Sequence, residues 1–415
     1  MHAPQTLEAK AEWQELLEAT RCLIDAKSSK PAIAVVYDSL LGAYKLTDDS
    51  VRIDNGLWDN LIMQMERPED PDRVVDNDNF YERLDAYGIN PRSGKALFSY
   101  ILPQDFNYTN ENVNIINGVL VSGRITKKHI GGKHNSIVQK LNQSPNYGRA
   151  RSAQFITDIS LLMNEYLTYY PFTILFEDCF ARGREKELKK LKKKTIAEAE
   201  LAIQAIGPSP ADPIEREIYE RQVKVLLDSF RDLGGKIGVE ALRSTNNLSM
   251  AVAAESKGSD FNIAQMTALI GQQYLKGSRP EQAITGGSRC LPTFDPDSLD
   301  PASRGFICSN FTEGMNPTEF FFHMYAGREG LIDTATGAGE QGAMNHRLIK
   351  HAENIHVAAD GTVRDAAGHI ISWSYGNDGF AGDGLELVKD EFGNTYASFI
   401  NMPEVMRSIN RKYGF

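Results

Sequence analysis

The stretch NPTEFFFHMYAGREGLIDTA, residues 316–335, decides how this chain is read. Asn316 is a good helix N-cap, because its side-chain oxygen can accept from a free backbone N–H. Pro317 follows at the first helical position, where a missing N–H costs nothing. Glu319 stands three residues after the cap and can reach back to it, as in a capping box. No proline recurs until Pro403, so the spacing predicts a helix over 317–350, about 50 Å long at 1.5 Å per residue. Inside it stand Gly327, Gly330, Gly337, Gly339 and Gly342. Each costs about 1 kcal/mol relative to alanine in a helix interior. Close packing would explain one or two. The cluster 337, 339 and 342 samples several faces, which suits a bending point or a surface pressed by a flat ligand. Phe320, Phe321 and Phe322 span about 200° of helix surface, so this half is expected to be enclosed by protein.

Working outward, 415 residues suggest two to three domains. Hydrophobic content of 41% and charged content of 24% are ordinary for a soluble globular protein. No apolar run is long enough for a membrane span, and no basic-then-apolar leader opens the chain. Cys22, Cys179, Cys290 and Cys308 stand far apart with no CxxC pair. They read as buried free thiols in a reducing compartment rather than a zinc site. The net charge of −10 argues against a freestanding nucleic-acid binder of the simple basic type, though not against local contact.

Periodicity predicts an N-terminal helix over 5–26, with Leu7, Trp13, Leu16 and Leu17 near helical spacing. Residues 66–78 read as an acidic surface loop. Asn117-Gly118 between VNII and VLVSGRI is a hairpin signal, since both residues accept the positive φ of a type I′ turn. Helices are expected over 152–169, 182–206 and 211–233, the last two forming an antiparallel hairpin broken by Pro208, Pro210 and Pro213. RGREKELKKLKKK, 182–194, carries eight basic and two acidic residues. It reads as a solvated helix face or as a rim guiding an anionic ligand. Beyond the long helix, Asp360-Gly361 marks a turn and HIISWSY, 369–375, a strand. The fold class is α+β, irregular and multi-module, with a small β-rich domain, a helical hairpin and the long helix.

NPTEFFFHMYAGREGLIDTA resembles the bridge helix in the largest subunit of multisubunit DNA-directed RNA polymerases of the eukaryotic and giant-virus type. SSKPAIAVVYDSLLGAYKLT (28–47), NGVLVSGRITKK (117–128), SMAVAAESKGSDFNIAQMTALIGQQ (249–273), ASRGF (302–306) and WSYGNDGF (373–380) follow in that family's order. The resemblance covers nearly the whole chain and is weakest over 182–235. It implies the end of the active-site domain over 1–60, the pore over 61–150, and the funnel over 151–300. The bridge helix region follows over 301–355, and 356–415 begins a downstream cleft or foot module.

The resemblance also implies the chemistry. The expected activity is DNA-templated RNA synthesis by nucleotidyl transfer, with Mg2+ stabilising the attacking and leaving oxygens. The family holds this metal on the aspartates of an Asn-Ala-Asp-Phe-Asp-Gly-Asp motif, and Met1-His2-Ala3-Pro4-Gln5 matches the segment just after it. The expectation is therefore no catalytic or metal-ligating residue here, Asp260 and Asp333 being candidates by type only, and no activity for the chain alone. Lys257, with Gly258 and Ser259, matches the family segment that approaches the triphosphate, and a lysine is a compact charge suited to phosphate oxygens. Ala338 and Gly339 match positions under the incoming base pair, and Arg347 matches an arginine placed for template phosphate. Ala343 stands where the eukaryotic enzymes have a tyrosine near the template. Asn262, Gln265, Gln272 and Gln273 match a polar surface bracing the helix; Arg289 is a further channel candidate and Arg328 a structural one.

Expected partners are template DNA, RNA, nucleoside triphosphates, the second-largest subunit, the remaining pieces of the largest subunit, and a transcript-cleavage factor at the funnel. The expected location is the nucleus or, for a virus-encoded chain, the viral factory or virion. The competing reading is a duplicated, non-enzymatic polymerase piece acting as scaffold or regulator.

Overall fold

The computed structural model describes residues 3–65, 79–110, 112–144, 146–180, 185–207, 210, 212–242, 246–380, 382–389 and 394–399, with 402, 405, 406 and 409. The acidic loop expected at 66–78 and the first residues of the basic arm, 182–184, lie outside them. The chain divides into two compact units, each described by itself. One comprises Met1–Phe172, Ala253–Lys257 and Ile355–Phe415; the other comprises Thr173–Val252 and Gly258–Asn354.

The first unit opens with α1 (Leu7–Glu12). The expected helix over 5–26 does not run on. It passes through one π turn, Trp13–Leu17, and after an extended Glu18 a 3-10 turn, Ala19–Cys22. Leu7, Trp13, Leu16 and Leu17 stay 49–83% exposed. An amphipathic stripe stabilises a helix only when something buries it, and nothing among the described residues does. The core lies further on, among α2 (Tyr37–Leu46), α3 (Asn55–Met65), α4 (Phe80–Ala86), α5 (Gly94–Tyr100), and the antiparallel sheet β1 (Tyr108–Asn110), β2 (Val113–Ile116) and β3 (Val119–Ser122). The helices α6 (Lys127–Ile130), α7 (Ile137–Gln143) and α8 (Gly148–Tyr169) complete it. Trp58, Phe98, Phe155 and Tyr166 are buried at its centre. Asn117 and Gly118 turn β2 into β3 with φ of 48° and 71°, as the hairpin signal requires.

The second unit is built on α9 (Glu185–Ile206) and α10 (Pro213–Ala241). They pack through Ala199 and Ile203 against Tyr219, Val223 and Leu227. The third predicted helix was expected to stop near 233, before Gly234-Gly235, and instead continues two turns. The reason lies in α12 (Asp260–Thr267), which follows α11 (Asn247–Ala253). A Cβ added at Gly235 would stand 3.2 Å from Ala264 Cβ, and one at Gly238 would stand 2.5 Å from Thr267 Oγ1. That hydroxyl is held by the carbonyl of Ile263 at 2.8 Å and cannot swing away. These glycines exist to let two helices touch. Gly238→Ala should therefore destabilise the unit by about 1–3 kcal/mol, read by urea titration.

A two-residue ladder, β4 (Gly271–Gln272) with β5 (Phe306–Ile307), leads into α13 (Pro317–Ala352), 36 residues long without a break. Beyond it, in the first unit, come two antiparallel sheets. The first holds β6 (His356–Val357), β7 (Val363–Arg364) and β8 (Ile370–Ser372). The second holds β9 (Glu386–Lys389) and β10 (Thr395–Ser398). Residues 382–386 dock on the start of the same unit. The Ser29 hydroxyl donates to the Gly382 carbonyl at 2.5 Å, and Lys140 pairs with Glu386 at 2.9 Å. All four cysteines are free, as expected, but Cys22 is exposed and the others only half-buried.

Candidate functional site

The long helix is held at one end and open at the other. Asn316 Oδ1 accepts from the Glu319 N–H at 2.8 Å, and Glu319 Oε2 accepts from the Asn316 N–H at 3.0 Å, closing the capping box. Glu319 also works outward. Its Oε1 accepts from the N–H groups of Cys308 and Ser309 at 3.2 and 3.3 Å, and its Oε2 from the Ser309 hydroxyl at 2.8 Å. One carboxylate thus ties the helix start to Cys308 and Ser309, the residues just after β5. Two turns on, His323 Nδ1 lies 3.3 Å from Gln273 Oε1, and Glu329 Oε1 accepts from the Lys276 N–H at 2.6 Å. Phe322 is buried beneath Gly305, whose φ of 85° brings the backbone over the ring.

Phe322 is the one fully buried residue of the helix; Phe320 and Phe321 are 52% and 46% exposed. The expected enclosure of all three is therefore not made by this chain. From Leu331 to Ala352 every residue but the half-exposed Gly337 is exposed. A Cβ added at Gly327, Gly330, Gly337, Gly339 or Gly342 meets nothing within 4 Å. These glycines have no packing role within the chain, in contrast to Gly238.

Ala338, Gly339 and Arg347 all lie on the exposed half. At 100° per residue Arg347 falls about 80° from Gly339 and about 180° from Ala338, so one flat surface cannot meet all three. Ala343 is exposed there too, as are Asp333 and Arg328.

The other predicted residues divide by role. Ser259 caps α12: its N–H and hydroxyl both donate to Asn262 Oδ1, at 2.9 and 3.1 Å. Gly258 has φ 78°, the left-handed region where a side chain is strained. Gln265 accepts through its backbone carbonyl from Phe311 N–H at 3.1 Å. Gln272 is 94% buried by its 6% exposure and donates to the carbonyls of Gln273 and Arg304 at 2.8 and 2.7 Å. Of these four, Gln273 is the one whose side chain makes a polar contact with α13 among the described residues. Arg289 closes its own turn, donating to the Phe294 carbonyl at 3.2 Å. In the first unit, Lys257 is exposed and its Nζ stands 4.9 Å from the ring centroid of Tyr37. It makes no ion pair among the described residues. In the basic arm, Lys192 pairs with Glu313 at 2.5 Å and Lys194 with Glu198 at 3.5 Å, while Lys186, Lys189, Lys190 and Lys193 are exposed. Among the described residues no group of three or more His, Cys, Asp or Glu could hold a metal. Asp260 opens α12 without such company.

Sequence reading missed Tyr37, the second task of Glu319, Glu329, and the contact of Glu220 with Arg279 and Arg304. No local signal marks any of them, since each partner lies far along the chain or outside a recognisable spacing.

Three sequence profiles match the chain, in ascending order along it. RNA polymerase Rpb1 domain 3 matches residues 22–179, domain 4 matches 211–307, and domain 5 matches 314–406. The chain belongs to the RNA polymerase Rpb1 family. It is 32% identical over 419 residues to a probable DNA-directed RNA polymerase II subunit RPB1 homolog of Invertebrate iridescent virus 6, covering 94% of this chain and 39% of that protein. It is 30% identical over 408 residues to DNA-directed RNA polymerase II subunits RPB1-A and RPB1-B of Trypanosoma brucei brucei, covering 93% of this chain and 22% of each. The chain thus spans well under half the length of these Rpb1 relatives. Domain 5 of the Rpb1 family takes in the whole of α13 and domain 4 most of its bracing segment, so both parts of the described geometry fall inside matched regions.

Proposed function

We propose that the chain supplies the funnel and bridge helix of a DNA-directed RNA polymerase largest subunit, and with them part of a nucleotidyl-transfer machine. The observation that carries this is α13 itself, anchored by Glu319, Phe322, His323 and Glu329 and then bare for more than twenty residues. A helix exposed on all sides is stabilised by a partner outside the chain. Glycines with open space around them let a flat surface such as a base pair come near the backbone. In this reading Ala338 and Gly339 face the incoming pair and Arg347, on another side, meets template phosphate. Lys257 meets triphosphate oxygens as an unpaired point charge. Gln273 braces the helix through His323, and the exposed lysines of α9 raise the local concentration of triphosphates by their field. Residues 1–60, 61–150, 151–300, 301–355 and 356–415 would then be the end of the active-site domain, pore, funnel, bridge helix region and downstream module.

Mg2+ in such an enzyme would polarise the phosphoryl oxygens. The described residues offer no ligand set for it. Partners in this reading are DNA, RNA, nucleoside triphosphates, the second-largest subunit, the rest of the largest subunit and a cleavage factor at the funnel. The place of action is the nucleus or a viral factory.

Reconstitution tests the reading. The chain alone is expected to make no RNA. Combined with a second-largest subunit and the largest-subunit segments that carry the aspartate motif, it should give Mg2+-dependent, template-directed synthesis. RNA synthesis by the chain alone, or none by the full set, would refute the proposal. Gly337→Ala with Gly339→Ala should stabilise the isolated chain by about 2 kcal/mol yet slow elongation in the assembled enzyme. An unchanged elongation rate would dismiss the bending role.

A further inference from the structure

The geometry points to Tyr37 as the residue that positions Lys257 for phosphate, an inference that rests on the role proposed for Lys257. Ten residues other than glycine have positive φ among the described residues, and four of them are asparagines, which tolerate it. Tyr37 is the aromatic one, at φ 51° on the first residue of α2. A bulky side chain there is strained, and strain of this kind persists where the surroundings impose it for a purpose. Burial is not that purpose, because Tyr37 is 60% exposed. No hydrogen bond restrains its hydroxyl among the described residues either. What its ring does meet is the ammonium of Lys257, 4.9 Å from the centroid.

The lysine is delivered from its own side by a second unusual turn. Ala254 is fully buried, and its carbonyl accepts from the Lys127 N–H at 3.4 Å, which pins this segment to the first unit. Glu255 then takes φ 56°, again left-handed. The chain turns outward and leaves Lys257 exposed, with no carboxylate paired to it among the described residues and an aromatic face beside it. A ring face restrains an ammonium by its quadrupole without cancelling its charge. That is what a phosphate-binding lysine needs: a narrowed range of positions and a full charge. A carboxylate partner would supply the first at the cost of the second.

The test uses the assembled polymerase containing this chain, with ATP as the varied nucleotide. Tyr37→Leu should raise KM for ATP about two- to fivefold, the range expected of an exposed cation–ring contact, with kcat nearly unchanged. Tyr37→Phe, which keeps the ring, should match the parent. Tyr37→Gly removes ring and strain together, so it should raise KM by the same factor while its melting temperature stays level or climbs; a merely structural tyrosine would not separate the two readouts. In a Lys257→Ala background Tyr37→Leu should add nothing. If Lys257→Ala raises KM but Tyr37→Leu and Tyr37→Gly do not, the positioning role falls and the role of Lys257 stands. Additive effects would overturn it as well, since Tyr37 would then act on substrate directly. If Lys257→Ala is silent, both fall.

Discussion

Glu220→Gln should cost the second unit about 3–5 kcal/mol, the usual loss when one partner of a buried ion pair is removed. Glu220 Oε2 accepts from Arg279 Nε at 2.8 Å, and Glu220 Oε1 accepts from Arg279 Nη2 at 3.0 Å and from Arg304 Nη1 at 2.5 Å. The side chains of Arg279 and Arg304 are 5% and 12% exposed. Glutamine keeps the shape but leaves two guanidiniums in poor solvent with no counter-charge. Replacing all three residues by methionine should cost less than the single change, because the unpaired charges leave with the carboxylate. Urea titration of both variants decides; a triple variant weaker than Glu220→Gln would dismiss this account. The same cluster sets an acid sensitivity. Burial pushes the Glu220 carboxyl up, but Arg279 and Arg304 outweigh it and hold the group below its ordinary 4.5. A depressed value in the folded state means stability that is present above pH 4.5 and lost as pH falls through the folded value. The parent chain should lose that increment below pH 4.5, and Glu220→Gln should not. Burial and the neighbouring Arg279 meanwhile lower Arg304 from its ordinary value, the mark of two cations crowded on one anion.

Glu319→Ala is expected to lower stability by about 2–4 kcal/mol, combining a lost capping interaction with charge-assisted bonds to three groups of the segment just after β5. Its four acceptor contacts reach Cys308 N, Ser309 N, Ser309 Oγ and Asn316 N. Amide exchange gives the decisive readout. Cys308 and Ser309 should lose protection together with Phe320, whose N–H bonds to the Asn316 carbonyl at 2.9 Å. Glu319→Gln, keeping one acceptor oxygen and losing the charge, should fall between. If Ser309 exchanges as before while Phe320 frays, Glu319 is a helix cap only and the tie to Cys308 and Ser309 carries no weight. In an assembled polymerase the first variant should also slow elongation, because the exposed half of α13 is aimed by the anchored half.

The start of α13 was legible because a cap speaks through residues three positions apart: Asn316, Pro317 and Glu319 specify it in isolation. The turn at Asn117-Gly118 was legible for the same reason, two adjacent residues meeting one backbone requirement. The N-terminal helix was misjudged because its apolar spacing promised a burial that this chain does not provide. For the candidate site, exposure of the long helix beyond its anchor could be suspected from its glycines, whereas the ring beside Lys257 could not, 220 residues of sequence away from any pattern it belongs to.

The same residue type shows where the boundary lies. The sequence holds glycines in both α10 and α13, and each carries the same intrinsic helix cost. It placed the long helix, its cap and its membership of a family, since these depend on near neighbours or on long ordered motifs. Tertiary structure decided what each glycine is for: Gly235 and Gly238 lie against Ala264 and Thr267, while Gly337 and Gly339 face open space. It also decided that Glu220 holds an arginine 59 positions away and another 84 away. Spacing along a chain reports only what one turn or one pleat brings together; the partner that fixes a side chain's energy is chosen by how the elements pack.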